Sequence, residues 1–405
     1  MILNRNVFRD FDFVLLGLTL FLVFVGLISV YSTTYGESSS IFLRQLLWVF
    51  IGLIVGIIFY LVPLRAWDAF SWVFYLASLV GVILVFVIGT GSHGAKRWID
   101  IGGIRLQPSE IAKLGTLLFL TSFLCNKKFR ITELRHLILP VLIVVVPFFL
   151  VLVEPDLGTS LIFLFFGLSL LFYKGTPLVY LFVIISPVLA LICGVHWISL
   201  IGFLILAILI FYFNRLPLNE FILIFAINLA VGLSHSILWG HLKPYQQARI
   251  TNFLVPSRDL QGSGWQILQS KIAIGSGSFL GKGILKGTQK GFDFLPEVHT
   301  DFIFSAIGEE FGFLGCCVVL ICFFLALWRG FKMARAARSE FNSFLAIGIV
   351  SILGIQILIN VGMTTGLVPT VGVPLSFISY GGSSMIVSSA MMGLLLNVAK
   401  HRYEY

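Results

Sequence analysis

The chain has 405 residues, of which 58% are hydrophobic and only 11% charged, with a mean hydropathy of +1.02. Soluble domains carry about 25% charged residues, so this composition excludes an ordinary soluble protein and indicates an all-α polytopic membrane protein. The net charge of +9 is not a nucleic-acid footprint, because most Lys and Arg fall in short loops between apolar runs, as the positive-inside rule describes.

Arg5 and Arg9 precede an apolar run from Phe13 to Val30 with no small-x-small cleavage site after it. This reads as a first transmembrane helix and not a signal peptide. Runs of spanning length fall at 13–31, 42–62, 71–89, 108–125, 137–153, 158–173, 178–194, 196–213, 219–239, 300–328, 342–367 and 374–399, about twelve crossings in a single membrane domain over 1–405. Arg5/Arg9, Lys127/Lys128/Arg130/Arg135, Lys174, Arg215, Arg329/Lys332/Arg335/Arg338 and Lys400/Arg402 share one side. That side is cytoplasmic by the positive-inside rule, with both termini in it, and it leaves the loop 90–107 and the long segment 240–299 outside. The cysteines Cys125, Cys193, Cys316, Cys317 and Cys322 lie in or at the ends of apolar runs without metal spacing, and read as packing residues. No internal repeat is visible.

Several polar stretches interrupt the apolar frame. In the loop 90–107, RWIDI and IRLQ flank a Gly-Gly pair, a hairpin signal. Lys96, Arg97 and Trp98 there either plug the outer surface or meet a substrate headgroup. In QPSEIAKLG, Pro108 suits the first helical position, and Glu110 and Lys113 share a helix face, as a packing pair or as functional groups within a span. In VEPDLGTS, Pro155 ends one run and Asp156 is placed to cap the next at Leu157. The segment 240–299 carries seven Lys and Arg, among them Arg249, Lys271 and Lys282, against Asp259, Asp293 and Glu297. Cations among flexible glycines suit an anionic ligand such as a pyrophosphate, and WQILQSKIAIGSGSFL suits an amphipathic interfacial helix.

Asp293, Glu297, His299, Thr300 and Asp301 then crowd the entrance to the next span. Asp301 is expected in its first turn, where a helix N-terminus favours an ionised carboxylate. Glu309 lies eight residues on, about 12 Å deeper at 1.5 Å per residue. Finally, GLVPTVGVPLSFISYGGSS (366–384) is broken by Pro369, Pro374, Gly381 and Gly382. It reads as a bent connection beside the site, with Tyr380 and its serines as ligand contacts.

GAKRWI, QPSEIAKLG, EPDLGTS, FLPEVHTDFIFSAIGEEFG and NVGMTTGLVPTVGVPLSFISYGGSS together resemble the bacterial SEDS family (RodA, FtsW and SpoVE), in the family's order and over most of the chain. GTQKGFDFLPEVHTDFIF and KPYQQARI resemble the elongation members more than the division members. The resemblance implies a peptidoglycan glycosyltransferase polymerising lipid II into glycan strands at the outer face of the bacterial cytoplasmic membrane. It places the family's essential aspartate on Asp301, the preceding acid on Asp293, the outer-loop tryptophan on Trp98, the helix pair on Glu110 and Lys113, and the other outer aspartate on Asp156. Lipid II, the growing glycan chain and membrane lipid are the implied ligands, a class B penicillin-binding protein the implied partner, and a divalent cation (Mg²⁺ or Mn²⁺) the implied cofactor. Two departures stand out. The family has ten spans, and the surplus here lies between Phe172 and Trp239. Ser376 also stands where the family carries proline.

A donor with an α-linked pyrophosphate and a β-linked product require one inversion, hence one general base, assigned to Asp301, and cations to offset the leaving charge. The rival readings are a lipid II flippase, which calls for charged groups lining a path through the whole bilayer, and a scaffold that only recruits the transpeptidase. Ionisable residues crowd the outer mouth and the inner halves of the spans are nearly free of them, which favours surface catalysis.

Overall fold

The computed structural model describes residues 11–35, 39–92, 95–102, 104–126, 129, 133–241, 247–248, 251–253, 263–287 and 298–400. Each of the twelve apolar runs carries a helix. Among the described residues, seven helices are long and apolar enough to cross a membrane, or eight if the bent pair Leu218–Leu233 and His235–His241 makes one span. Leu157–Tyr173, Leu178–Cys193 and Trp197–Phe213 are apolar but shorter. The chain falls into two compact units, Met1–Leu170 with Asn252–Tyr405, and Leu171–Thr251.

In the first unit, the helices α1 (Phe13–Thr34), α2 (Ser39–Leu61), α3 (Leu64–Ala69) and α4 (Ser71–Ile88) lead into a three-stranded antiparallel sheet. Its strands are β1 (Thr90–Ser92), β2 (Ala95–Ile101) and β3 (Ile104–Leu106), and Ile101 pairs with Ile104 across the expected glycine turn. Helices α5 (Pro108–Leu124), α6 (Ile138–Val153) and α7 (Leu157–Tyr173) follow. Pro108 opens α5, where its missing N–H costs nothing.

The second unit holds α8 (Leu178–Cys193), α9 (Trp197–Phe213), α10 (Leu218–Leu233) and α11 (His235–His241). It coincides with the stretch read as carrying the surplus spans. Ala190, Leu200, Phe203 and Leu204 form its core. Pro187 inside α8 removes an N–H from the helix ladder, and Ser186 Oγ donates to the carbonyl of Val183 at 3.0 Å in its place. Asn228 Nδ2 of α10 donates to the same hydroxyl at 3.0 Å, pinning the two helices with a bond that lipid cannot compete for.

The first unit resumes with α12 (Ser263–Ser276), α13 (Ile303–Ala336), α14 (Glu340–Thr365) and α15 (Gly382–Lys400). Most of α14 and α15 is buried, whereas α2 exposes most of its surface. The expected span 374–399 starts late: residues 366–381 are not helical, and the helix begins only at Gly382. Prolines at 369 and 374 deny the backbone its helical donors there. Packing at the centre relies on small residues. A Cβ at Gly393 would lie 2.2 Å from the Gly56 carbonyl oxygen, so α2 and α15 touch backbone to backbone. At the end placed in the cytoplasm by the loop charges, Arg329 grips Asp12 with both carboxylate oxygens engaged, while Asp12 Oδ1 caps α1 at Leu15 N (2.9 Å).

Gly393→Leu is expected to destabilise the detergent-solubilised protein by at least about 1–3 kcal/mol, the range for overpacking. Thermal unfolding checks this against Gly17→Ala as control, since a Cβ at Gly17 meets nothing within 4 Å.

Candidate functional site

Asp301 occupies a turn just ahead of α13 and not its first helical turn, which corrects the sequence expectation. The physical reason is a partner distant in sequence. Its carbonyl oxygen accepts from Asn360 Nδ2 of α14 at 3.0 Å instead of a helical N–H. The Asp301 side chain is partly buried beside the non-helical segment 366–381, hereafter the strap. A Cβ at Gly372 would stand 3.2 Å from Asp301 Oδ2, and Gly372 adopts φ +70°, a conformation that disfavours any residue with a side chain.

The strap is held along its length by side chains of the surrounding helices. Asn360 Nδ2 donates to Val373 O (2.8 Å), Ser376 Oγ to Gln356 Oε1 (3.1 Å), and Gln45 Nε2 to Ser379 O (3.3 Å). Ser376, the departure from the family proline, thus finds a buried partner. Tyr380 N donates to His299 O at 2.8 Å, and the two rings meet edge to face at 5.5 Å. On the far side, a Cβ at Gly158 would lie 2.6 Å from Val373 Cγ2, so the start of α7 and the strap are in contact.

Asp156 stands immediately before α7 and is 1% exposed. It caps that helix as expected, accepting from Thr159 N (3.2 Å) and Thr159 Oγ1 (3.0 Å). It also accepts from Gln107 Nε2 (2.9 Å), and Gln107 N in turn donates to Ser383 Oγ (2.8 Å). The hairpin's exit, the α7 cap and the start of α15 are therefore tied in one polar chain. Lys96 is exposed and Trp98 partly buried. Arg97 is turned inward, its Nη2 donating to the Pro155 carbonyl, and its Nε is buried without a partner. Arg97 so latches the hairpin to the 154–156 link.

Glu154, between α6 and Pro155, was not singled out by sequence. It is 2% exposed, and neither carboxylate oxygen has a hydrogen-bond partner among the described residues. Burial, with a further push from the Asp156 carboxylate and a partial offset from Arg97, raises its pKa from 4.5 to about 8. The shift favours the protonated form near neutral pH. An acid directly before a helix-ending proline at a membrane boundary is the signal that would have found it.

Lys282 lies away from this arrangement, beside a break in α13. Gly312 (φ 66°, ψ −164°) interrupts that helix and orphans backbone groups on both sides. Residues 277–287 fill the gap: Lys282 N and Gly283 N donate to the carbonyls of Glu309 and Glu310 (3.0 Å each). Phe313 N and Leu314 N donate to the carbonyls of Ser278 (3.0 Å) and Phe279 (3.1 Å). Lys282 Nζ pairs with Glu309 Oε1 at 2.7 Å, and Ser32 of α1 donates to Glu310 while accepting from Leu285 N (3.2 Å).

Lys271 is exposed on α12 and crosses the start of the strap, its Cε 2.3 Å from where a Cβ of Gly366 would be. Glu110 and Lys113 form a fully buried pair at 2.7 Å in the first turns of α5. The helix α12 forms within WQILQSKIAIGSGSFL, yet it is anchored in the protein as well as amphipathic: Ser270 Oγ donates to Thr364 O (2.6 Å) and meets Ser305 Oγ (2.9 Å). Asp293, Glu297 and Arg249 lie outside the described residues. Among the described residues no three His, Cys, Asp or Glu gather to hold a metal ion.

A family model described as a cell cycle protein family (FtsW, RodA and SpoVE) matches residues 9–201 and 197–404. The chain belongs to this family. Stage V sporulation protein E of Bacillus subtilis is 36% identical over 400 residues, covering 96% of this chain and 97% of that protein. The peptidoglycan glycosyltransferase MrdB of Escherichia coli K12 is 33% identical over 405 residues, covering 98% and 97%. Among solved structures, one concerned with the structural coordination of polymerization and crosslinking by a peptidoglycan synthase complex superposes with a TM-score of 0.72 at 28% identity, covering 98% of this chain and 99% of that one. The crystal structure of the rod shape determining protein RodA of Thermus thermophilus gives 0.64 at 26% identity, covering 98% of each.

Two outcomes are expected from these contacts. Below about pH 4.5 Glu154 is neutral both folded and unfolded; as pH rises the unfolded chain ionises first, and folding loses stability until the folded group ionises near pH 8. Glu154→Gln removes that loss, so its Tm advantage over wild type should be larger at pH 8 than at pH 5. Lys282→Met deprives the buried Glu309 of its cation and should lower Tm, by up to roughly 3–5 kcal/mol of stability. Lys282→Met combined with Glu309→Leu should recover most of it.

Proposed function

We propose that this chain is a peptidoglycan glycosyltransferase that polymerises lipid II, with Asp301 as its general base. The supporting observation is the placement of Asp301, a partly buried carboxylate at the end of the core helices, flanked by Gly372 and held through its backbone by Asn360. It sits in a chain related over nearly its whole length to a named peptidoglycan glycosyltransferase.

The reaction is a single displacement. Asp301 takes the proton of the acceptor's 4-hydroxyl as that oxygen bonds to the donor's anomeric carbon. The bond from that carbon to the lipid pyrophosphate breaks on the opposite side, and the pyrophosphate leaves with the electron pair, which converts α to β. Lys96 and Lys271 are exposed, and no carboxylate pairs with either among the described residues. They suit the task of offsetting the leaving group's charge. Arg97, Lys113 and Lys282 are already engaged within the protein. Mg²⁺ binds through one or two carboxylates plus substrate phosphates and needs no cage; a divalent cation remains part of the proposal only in that form, and no step above runs through it.

The loop charges support an outer-face site in the bacterial cytoplasmic membrane, with lipid II and the growing glycan chain meeting there among membrane lipids. A class B penicillin-binding protein is the proposed partner, by analogy with the synthase complex of the related structure. The RodA-like stretches around 243–250 and 287–304 support an elongation role.

Purified protein with its transpeptidase should polymerise lipid II, while Asp301→Asn of equal Tm should give no glycan. Equal polymer from both would remove Asp301 as the base. No polymer from wild type across Mg²⁺ and Mn²⁺ concentrations would point instead to the flippase.

A further inference from the structure

Asn360 lies in the last two turns of α14 (Glu340–Thr365) and is 0% exposed. A primary amide at that depth costs free energy unless its hydrogen bonds are made. Both bonds of its Nδ2 go to backbone carbonyls from separate parts of the chain: Asp301 O at 3.0 Å and Val373 O at 2.8 Å. Neither carbonyl belongs to a helix. Asp301 precedes α13, and Val373 follows Gly372, the residue whose backbone stands against the Asp301 carboxylate. One side-chain nitrogen therefore joins the proposed base to the segment that flanks it. Gln356, one helical turn earlier on α14, holds the same strap through Ser376 Oγ (3.1 Å), and Thr364, one turn later, donates to the carbonyl of Asn360 (3.1 Å). Asn360 Oδ1 is buried without a partner among the described residues, so the amide's fit there comes from its donors.

We infer that Asn360 is a positioning residue: it binds the carbonyls of Asp301 and Val373 together and so sets the carboxylate of Asp301 against Gly372 in the orientation that receives the acceptor's proton. This rests on Asp301 being the base. It also differs from a packing role in a measurable way. A serine keeps a hydroxyl donor at this position, whereas leucine copies the branched shape of asparagine with more bulk and keeps no donor. A packing residue prefers leucine; a positioning residue prefers serine. Misplacement of a reacting group by about 1 Å costs on the order of 100-fold in rate, and a group that acts on the chemical step lowers kcat with KM held.

The test compares lipid II polymerisation, with kcat, KM and Tm, for wild type, Asp301→Asn, Asn360→Ser, Asn360→Leu and Gly372→Ala. The expected result is a loss in kcat of about 10-fold for Ser and about 100-fold for Leu, with KM within about twofold of wild type. Gly372→Ala, which presses on the carboxylate from the other side, should also lose kcat at constant KM. Leucine as active as serine or more so would overturn the inference, as would a rise in KM at constant kcat. Should the leucine variant not fold, full kcat in Asn360→Ser overturns it, and reduced kcat in both Asn360→Ser and Gly372→Ala upholds it. An inactive Asp301→Asn beside fully active Asn360 variants removes only the positioning role. An active Asp301→Asn removes the base, and the role of Asn360 with it.

Discussion

Backbone that leaves the helix inside a membrane protein has no water to turn to, and each unsatisfied N–H or C=O there costs several kcal/mol. Two segments of this chain leave the helix among the packed spans, and a distinct set of polar contacts in the first unit answers each. The strap is met by Asn360, Gln356 and Gln45, and by the His299 carbonyl. The break at Gly312 is met by the backbone of residues 277–287. The apolar helices supply bulk and burial; these polar residues decide which irregular path the chain takes between them, and the candidate site is built along one such path.

The three carboxylates near the strap show how one boundary produces different chemistries. Asp156 is consumed by capping and by Gln107, so it serves as a joint. Glu154 is buried without a donor among the described residues, and burial favours its protonated form. Asp301 is neither fully buried nor part of a helix cap, and it stands beside a backbone that lacks a side chain. That difference is what the proposed role of Asp301 as general base rests on. Arg97 shows the same sorting among cations. Its guanidinium is engaged with the Pro155 carbonyl, whereas Lys96 on the same strand is exposed.

Features whose partners are close in sequence were legible from the residues. The turn between β2 and β3, Pro108 at the start of α5, the cap by Asp156, the Glu110–Lys113 pair and the helix within 263–276 all follow from spacing and local propensity. Features whose partners are distant were not. Asn360 reaches Asp301 across 59 positions, and Ser32 reaches Glu310 across 278. Nothing in NVGMTT or VYSTT announces such a partner. The late start of α15 was half legible: the prolines and glycines marked a bend, but the apolar residues after Pro374 match a span in composition and conceal that they pack as irregular backbone. Asp301 was found by its company, and its true position before α13 required knowing where its carbonyl goes.

The repair of α13 also bears on how the chain is made. Four of the backbone groups freed at Gly312 are paired with residues 278, 279, 282 and 283, which lie upstream and leave the ribosome first. When Gly312 reaches the membrane its partners are already there, within about one loop's length. The broken helix and its filler can therefore enter the membrane together, with those four groups within reach of their partners from the start.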